Sequence, residues 1–407
     1  MAAGVDGLHG IIIVGAGICG LATALALHRK GISSLVLERA ETLRATGAGI
    51  SIQVNGWRAL DQLKVGDELR KLAVPLSGRD KREIHDSRAT KVPFRTEVRC
   101  LKRSDLLETL AKSLPVGSIR FGCQVETISL EPVTGFPIVS TNDGTTMKAK
   151  LVIGCDGSNS AVAKFLGLKA VKLLPMWSAR GFTIYPEGHN FGNRFQVLIG
   201  DGINFRLIPV DDKVVSFNAI HLQSPKAEGA YNRDGRGLIQ QVTMKAMQGF
   251  PEEVIDLVRN CDTASLSFTQ LCYRAPWHMA LETFQQGTVT VAGDAMHVMG
   301  PFLGQGGSCG LEDAVVLARC LAKTMSESDG AGHSVDDRKL GKSSVEKGLR
   351  WYVKERRWRI LMLSFQTFLM GVLVSASSGF KKVLVTNVVE VLFRNKYSHN
   401  DYNCGSL

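Results

Sequence analysis

The sequence contains no CxxC pair and no cysteine–histidine spacing of the zinc-binding kind, which removes structural zinc and dithiol redox chemistry from its candidate functions. Its nine cysteines are scattered, mostly in apolar contexts. They read as reduced, buried thiols of an intracellular, cytoplasmic protein. The first strand is expected near residue 10, which leaves no room before it for a signal or transit peptide. No Ser/His/Asp hydrolytic set and no metal-ligand cluster stands out. There is no long low-complexity run either: 44% of residues are hydrophobic and 21% charged, a globular composition. A net charge of +11 raises nucleic acid as a partner, but no nucleic-acid motif accompanies it. Much of the surplus is local, with nine Lys/Arg against two Glu between Arg338 and Arg359. Oligomeric state is not legible.

What the chain does have begins at once. Ile11-Ile12-Ile13-Val14 runs into Gly15-Ala16-Gly17-Ile18-Cys19-Gly20, and a second apolar run ends in Glu38-Arg39. Strand, glycine turn, helix, strand and acid in this order form a dinucleotide-binding fingerprint. Gly15 permits the tight turn, Gly17 lets backbone approach a pyrophosphate, and Gly20 lets the helix pack close. That helix, over roughly 17–30, aims its N-terminal N–H groups at phosphate. Glu38 is placed to accept hydrogen bonds from a ribose diol.

At 407 residues, two or three domains are expected. Residues 10–38 read as strand–helix–strand. The segment from Leu43 to Ile52 reads as a glycine-containing loop entering a strand, and 56–73 as one or two helices. A helix spans 104–114, with Ser104 as its cap. Asn142-Asp143-Gly144 marks a turn between strands. From 175 to 223, short strands recur at close spacing, as in an antiparallel sheet inserted into the first module. A helix over 251–261 follows. A strand over 287–292 then ends in Gly293-Asp294, and a helix spans 311–325. Residues 326–343 read as a mobile loop, and 346–376 as a long helix, basic first and apolar afterwards.

The segment Gly293-Asp294-Ala295-Met296-His297-Val298-Met299-Gly300-Pro301-Phe302-Leu303-Gly304-Gln305-Gly306-Gly307 is the most specific in the chain. An acid after a buried strand can accept from a sugar-like hydroxyl, and the glycines open a second helix. The run resembles the GD-x-x-H-x-x-x-P-x-x-G-x-G motif of the single-component FAD-dependent aromatic hydroxylases, the para-hydroxybenzoate hydroxylase-like monooxygenases. Over roughly residues 10–360 the arrangement is similar to the plant members. The resemblance implies an α/β fold with an α+β insert. A Rossmann-like, glutathione reductase-like FAD-binding domain would comprise 1–75, 98–170 and 286–325. An inserted antiparallel-sheet substrate domain would comprise 76–97 and 171–285, with a C-terminal helical region over 326–407.

The same resemblance assigns roles to single residues. Asp294 would hold the ribityl chain of FAD, and Gly304, Gly306 and Gly307 would lie beside the isoalloxazine ring. Pro301 would sit where oxygen and substrate meet. Asp156 belongs to Asp156-Gly157-Ser158-Asn159-Ser160-Ala161-Val162, which resembles the family's DG-x-x-S-x-V-R fingerprint. The final Arg is replaced here by Ala163, followed by Lys164. Arg44 and Arg103 correspond to arginines near the FAD pyrophosphate or ribityl region, and Val125 to adenine-contacting backbone. Together with Gly15, Ala16, Gly17, Gly20, Glu38 and Arg39 these form the expected FAD site.

The implied chemistry is reduction of bound FAD by NADPH or NADH, a transient co-substrate. Oxygen is then activated as a flavin hydroperoxide, and a small aromatic or related apolar substrate is hydroxylated. His297 and Pro301 are the candidate catalytic residues, His297 having the loop-orienting role as its alternative. Arg180, Gln196, Phe205, Arg206 and Phe217 are candidates for the substrate wall. Strand alternation groups Gln196 with Leu198 and Asn204 with Arg206, without saying which face meets the cofactor. Two other functions stay open: an FAD reductase or oxidase that inserts no oxygen, and a decayed flavin-binding partner protein. Halogenation is disfavoured, because no WxWxIP sequence occurs. Residues 360–375 are apolar but short of the ~20 residues of a membrane span. Beside the basic cluster they could dock on an anionic membrane or cover the FAD domain.

Overall fold

The computed structural model describes residues 5–43, 49–86, 89–223, 235–328, 341–375, 386, 388 and 398–407. Its first sheet forms around the fingerprint strand Val5–Val14, whose Ile11, Ile12 and Ile13 are fully buried. That strand pairs in parallel with Thr146–Gly154 on one side and Leu35–Leu37 on the other. Val289–Val291 and Ile119–Arg120 extend the parallel run outward, and a hairpin of Val125–Leu130 and Pro137–Thr141 joins antiparallel to Thr146–Gly154. Strands covered on both faces need continuous apolar runs, and the central stretches 11–14, 35–37 and 151–153 supply them. The turn at 142–144 forms as expected: Asp143 accepts from Thr145 N–H, and Gly144 takes φ +82°.

The helices differ from expectation in detail. Ile18–Arg29 follows the glycine turn, and Val54–Gln62 and Gly66–Leu72 form as two helices. The helix Arg103–Lys112 starts one residue early. Ser104 therefore lies inside it and is not its cap; its hydroxyl bonds Asp105 instead. Gly306–Ser328 begins at the glycine run itself and reaches into the segment expected to be a loop, as does Lys342–Ser375 from the other end.

A second sheet has seven strands in the order Ser267–Tyr273, Lys172–Ile184, Val214–His221, Ile203–Pro209, Arg194–Gly200, Gly78–Glu83 and Ala89–Pro93. Its pairs are antiparallel except Arg194–Gly200 with Gly78–Glu83, which run parallel because the latter strand enters from the distant segment near residue 78. One face is covered by the helices Arg236–Ala246 and Glu252–Arg259, which close a core of their own around Ile239, Val254 and Leu257.

The first module and the closing helix meet at buried charge. The Asp313 carboxylate accepts from Gly293 N–H at 2.8 Å, His297 Nε2 at 2.6 Å and Arg356 Nε at 2.7 Å. Its neighbour Glu312 accepts from Asn55 Nδ2 at 2.6 Å, Arg359 Nη2 at 2.8 Å and Arg356 Nη2 at 2.8 Å. His297, Glu312, Asp313 and Arg356 are all solvent-inaccessible. Burial alone would raise the Asp313 carboxyl, but the charges of His297 and Arg356 outweigh it and hold the group far below the carboxylate range. Arg356→Met would leave two buried acids short of a cation, and should cost about 3–5 kcal/mol in urea denaturation. A depressed carboxyl stabilises fully above its unfolded pKa of about 4, and that contribution is lost as the pH falls from there towards the folded value. Denaturation of Asp313→Asn between about pH 3 and 7 should therefore show a shallower acid limb than the parent chain. An unchanged acid limb would remove Asp313 as its source.

Candidate active site

The site is built where the fingerprint turn, the 156–162 turn and the 293–307 loop converge. At Gly15, φ is +99°, and a Cβ would lie 2.7 Å from the Cys155 carbonyl oxygen. A Cβ on Gly20 would lie 1.9 Å from the Gly15 carbonyl oxygen, so helix and turn can close only on glycine. Gly17 faces open space, with nothing within 4 Å of where a Cβ would lie. This leaves a cradle at the N-terminus of Ile18–Arg29, where N–H groups and helix dipole favour phosphate.

Around the cradle the acids divide their duties. The buried Glu38 carboxylate accepts from Ala16 N–H at 2.8 Å and Ala40 N–H at 3.0 Å. The Ala16 N–H is thus committed within the protein, and Glu38 shapes the turn with oxygens that still have lone pairs for a diol. Asp156 Oδ2 caps the short helix Ala161–Phe165 through Ala161 N–H at 2.7 Å, whereas its buried Oδ1 has no partner. Burial raises the Asp156 carboxyl, against the hydrogen bonds from Ser160, Ala161 and Val162. An orphaned buried acceptor of this kind awaits a donor. Asp294 is exposed at the start of Asp294–His297, with Oδ1 3.9 Å from a Cβ position on Gly306. Gly304 turns with φ +65°, and Gly307 packs against Ile50. Arg39 and Arg103 are exposed, and Val125 is half-buried at the hairpin edge. Arg44 lies outside the described residues. This combination of an open phosphate cradle, an orphan acceptor and an exposed acid fits FAD.

Position 163 explains itself physically. Ala163 is buried against the main core and donates its N–H to the Ser160 hydroxyl, while Lys164 is exposed. An arginine at 163 would have to displace core atoms to reach solvent.

Strand register decides which sheet face meets this site. Arg180 and Arg206 both sit opposite Asn218, so the three share one face. Arg206 Nη1 donates to the Pro301 carbonyl at 2.9 Å, which turns that face towards the glycine loop. Arg180 Nε donates to Ser178 Oγ at 3.0 Å, and Ser178 Oγ to Asn218 Oδ1 at 2.7 Å. Burial lowers Arg206 to about 10, with Arg79 adding to the effect. Burial also lowers Arg180, helped by Arg103 and opposed by Asp294.

Three expected wall residues lie on the other face. Phe205 and Phe217 stack at 5.7 Å inside the helix-covered core, so they are packing residues rather than substrate contacts. Gln196 pairs with Leu207 on that same face, its amide donating to the Phe191 carbonyl at 3.4 Å. His297 is corrected as well. Burial disfavours its imidazolium, but Cys309 and Asp313 outweigh this and raise its pKa. With no exposed atom and Nε2 on Asp313, it positions the loop and cannot reach a substrate. His297, Cys309 and Asp313 offer ligand atoms within 4.8 Å of one another, but the Arg356 guanidinium already supplies the cation there, 3.2 Å from Cys309 Sγ. Asn218 and Ser178 were not anticipated as site residues, although polar Ser216 and Asn218 alternate with Val215, Phe217 and Ala219.

Comparison with known proteins agrees with this geometry. A family model described as an FAD binding domain matches residues 9–185 and 237–334. The chain is 42% identical over 401 residues to Monooxygenase 1 of Arabidopsis thaliana, covering 98% of this chain and 99% of that protein. It is 35% identical over 408 residues to Monooxygenase 2 of the same plant, covering 99% of each. Among solved structures, HpxO of Klebsiella pneumoniae, complexed with FAD and uric acid, superposes with a TM-score of 0.78 at 21% identity, covering 96% of both chains. That last likeness speaks for the fold.

Removing the orphan acceptor should be felt by the cofactor. Asp156→Ala is expected to weaken FAD retention about tenfold or more in fluorescence titration of the apoprotein, the worth of one charged hydrogen bond. Phe205→Leu should lower thermal stability and leave FAD affinity unchanged. If Phe205→Leu instead released FAD, the assignment of sheet faces would be wrong.

Proposed function

The chain belongs to the FAD-binding aromatic-hydroxylase family of monooxygenases, and from that premise we propose that its substrate is a small aromatic or related apolar molecule with an ionisable hydroxyl. As an FAD-dependent monooxygenase it uses NAD(P)H and O2 as co-substrates. The observation that carries the substrate reading is the pair Arg180 and Arg206. Both are largely buried on the face towards the Pro301 loop, and among the described residues both are hydrogen-bonded only to neutral acceptors. Two desolvated cations without a paired carboxylate favour an anion beside them.

Bound FAD supplies hydride acceptance and oxygen activation. The chain's own residues do the rest. Asp156 and Asp294 would hold hydroxyls of the cofactor, with Gly15, Gly17, Gly20 and Glu38 forming the phosphate and ribose end. Gly304, Gly306 and Gly307 bring backbone to the ring side. Arg206 fixes the Pro301 carbonyl and hence the loop. Arg180, held by Ser178, would stabilise a phenolate oxygen, lowering the pKa of the phenol so that it gives its proton to bulk water on entering and is bound as the electron-rich anion.

Incubation with NAD(P)H and a panel of phenols should yield product heavier by one oxygen atom, with the label coming from O2. NAD(P)H oxidation that yields only peroxide, or a product without added oxygen, would favour the reductase or oxidase reading. Arg180→Met should raise KM for the best phenol about tenfold or more, by loss of a charged hydrogen bond.

For the tail we propose packing rather than membrane contact. The helix Lys342–Ser375 is long and apolar enough to cross a membrane. Yet Arg356 and Arg359 are engaged by Glu312, and Arg357 donates to the carbonyls of Met279, Ala280 and Glu282. These cations are therefore not available to lipid headgroups. Nine unpaired cysteines support a reducing, intracellular setting. Fractionated cell extracts should hold the full chain in the soluble portion; recovery with membranes would reverse this reading.

A further inference from the structure

A cavity of about 290 Å³ lies between the apolar half of Lys342–Ser375, the sheet strands Lys172–Ile184 and Ser267–Tyr273, and the loop carrying Pro301. This volume is near the lower end for small-molecule pockets. Most of the wall is apolar or aromatic, with Tyr273, Phe302, Phe368 and Val372 prominent. Tyr273 and Phe368 lie 5.6 Å apart between ring centres, and Trp277 extends the aromatic cluster beyond Phe368. Phe302 brings the cavity to the active-site loop, since the adjacent Pro301 carbonyl is the one held by Arg206.

Two polar groups in this wall have no partner. Arg274 is 3% exposed and Ser364 4% exposed, and neither Arg274 Nε nor Ser364 Oγ is hydrogen-bonded. The other guanidinium nitrogens of Arg274 are occupied: Nη1 donates to the Lys169 carbonyl, and Nη2 to the Ala295 carbonyl at 3.3 Å. Its charge is matched by Glu282, whose Oε2 lies 3.7 Å from Nη1. Native proteins rarely leave buried donors unmade, because each costs about 1–3 kcal/mol. Here two orphans occur in the wall of one hollow.

We propose that this cavity is a binding site, separate from the Arg180–Arg206 face, for an uncharged and mainly apolar ligand bearing one carbonyl or hydroxyl oxygen. The oxygen would accept from Arg274 Nε and Ser364 Oγ, while the hydrocarbon body fills the space between Phe302, Phe368 and Val372. A carboxylate is disfavoured, because Glu282 already balances Arg274 and a second buried anion would lack a counter-charge. Occupancy would press on Phe302 and Gly300, and so reach the loop that bears on the active site.

Calorimetric titration of the FAD-loaded full chain tests this with two probes of like shape, the neutral ketone acetonaphthone and the anion naphthoate. At the site that Val372→Trp closes, acetonaphthone should bind saturably and at least about tenfold more tightly than naphthoate, given the cost of an unpaired buried charge. Val372→Trp, which fills the hollow, should abolish its binding, whereas Arg180→Met, which does not touch the Pro301 loop, should leave it intact. Ser364→Ala should weaken it about three- to tenfold, the loss of one neutral hydrogen bond. No binding of acetonaphthone, or binding lost in Arg180→Met and kept in Val372→Trp, overturns the proposal. Because the readout is heat of binding, failure of the hydroxylation reading would leave this result untouched.

Discussion

The Asp313 carboxylate is the constraint on which the rest of the molecule depends. It receives the backbone of Gly293, the ring of His297 and the guanidinium of Arg356 within a solvent-free interior. A carboxylate there is unfavourable unless its positive partners are in place. The loop after Val289–Val291, the helix Gly306–Ser328 and the closing helix are therefore bound to one geometry. Asp294, Pro301 and the glycines all hang from that loop. Glu312 repeats the device one residue earlier and adds Asn55, from the helix that follows the strand Gly49–Gln53. Cofactor cradle and scaffold are thus one electrostatic object.

The dinucleotide end was legible in the sequence because its constraints are local. Gly15 and Gly20 are demanded by contacts within a few residues and with the adjoining strand, so spacing alone discloses them. The sheet faces were legible only by half. Alternation separates Arg206 and Asn204 from Phe205 and Leu207, but nothing in a strand's own sequence says which side a distant helix will cover. The helices Arg236–Ala246 and Glu252–Arg259 settle that, and they place Phe205, Phe217 and Gln196 away from the cofactor side. A strand of mixed polarity displays both faces; its partners choose the buried one.

The acid–base network was not legible, although every member stood in a recognised segment. Glu312 and Asp313 stand in the helix expected over 311–325, and Arg356 and Arg359 lie in the basic run. Read singly, an acid in a helix and a cluster of arginines suggest a solvated surface. Their pairing spans 43 to 47 residues of chain, and only the packed fold shows it. The same pairing redirects the meaning of the net charge: part of the basic excess near the C-terminus faces inward. His297, which as a titratable member of the motif invited a chemical role, is instead the innermost strut of this network.

The order of the chain gives the closing helix a role in time as well as in space. Arg356 is synthesised 43 residues after Asp313, an interval of about 2–9 s at ordinary rates of translation. Tyr402, whose ring lies 5.0 Å from the Arg356 guanidinium, arrives later still. Until Arg356 and Arg359 emerge, Asp313 has His297 but lacks its guanidinium partner, Glu312 lacks both its arginines, and the loop that they anchor is incompletely held. A nascent chain therefore carries its glycine fingerprint early and its finished cofactor site late. The tail acts as a completion signal: a truncated product would have the parts for binding FAD without the means to keep them assembled.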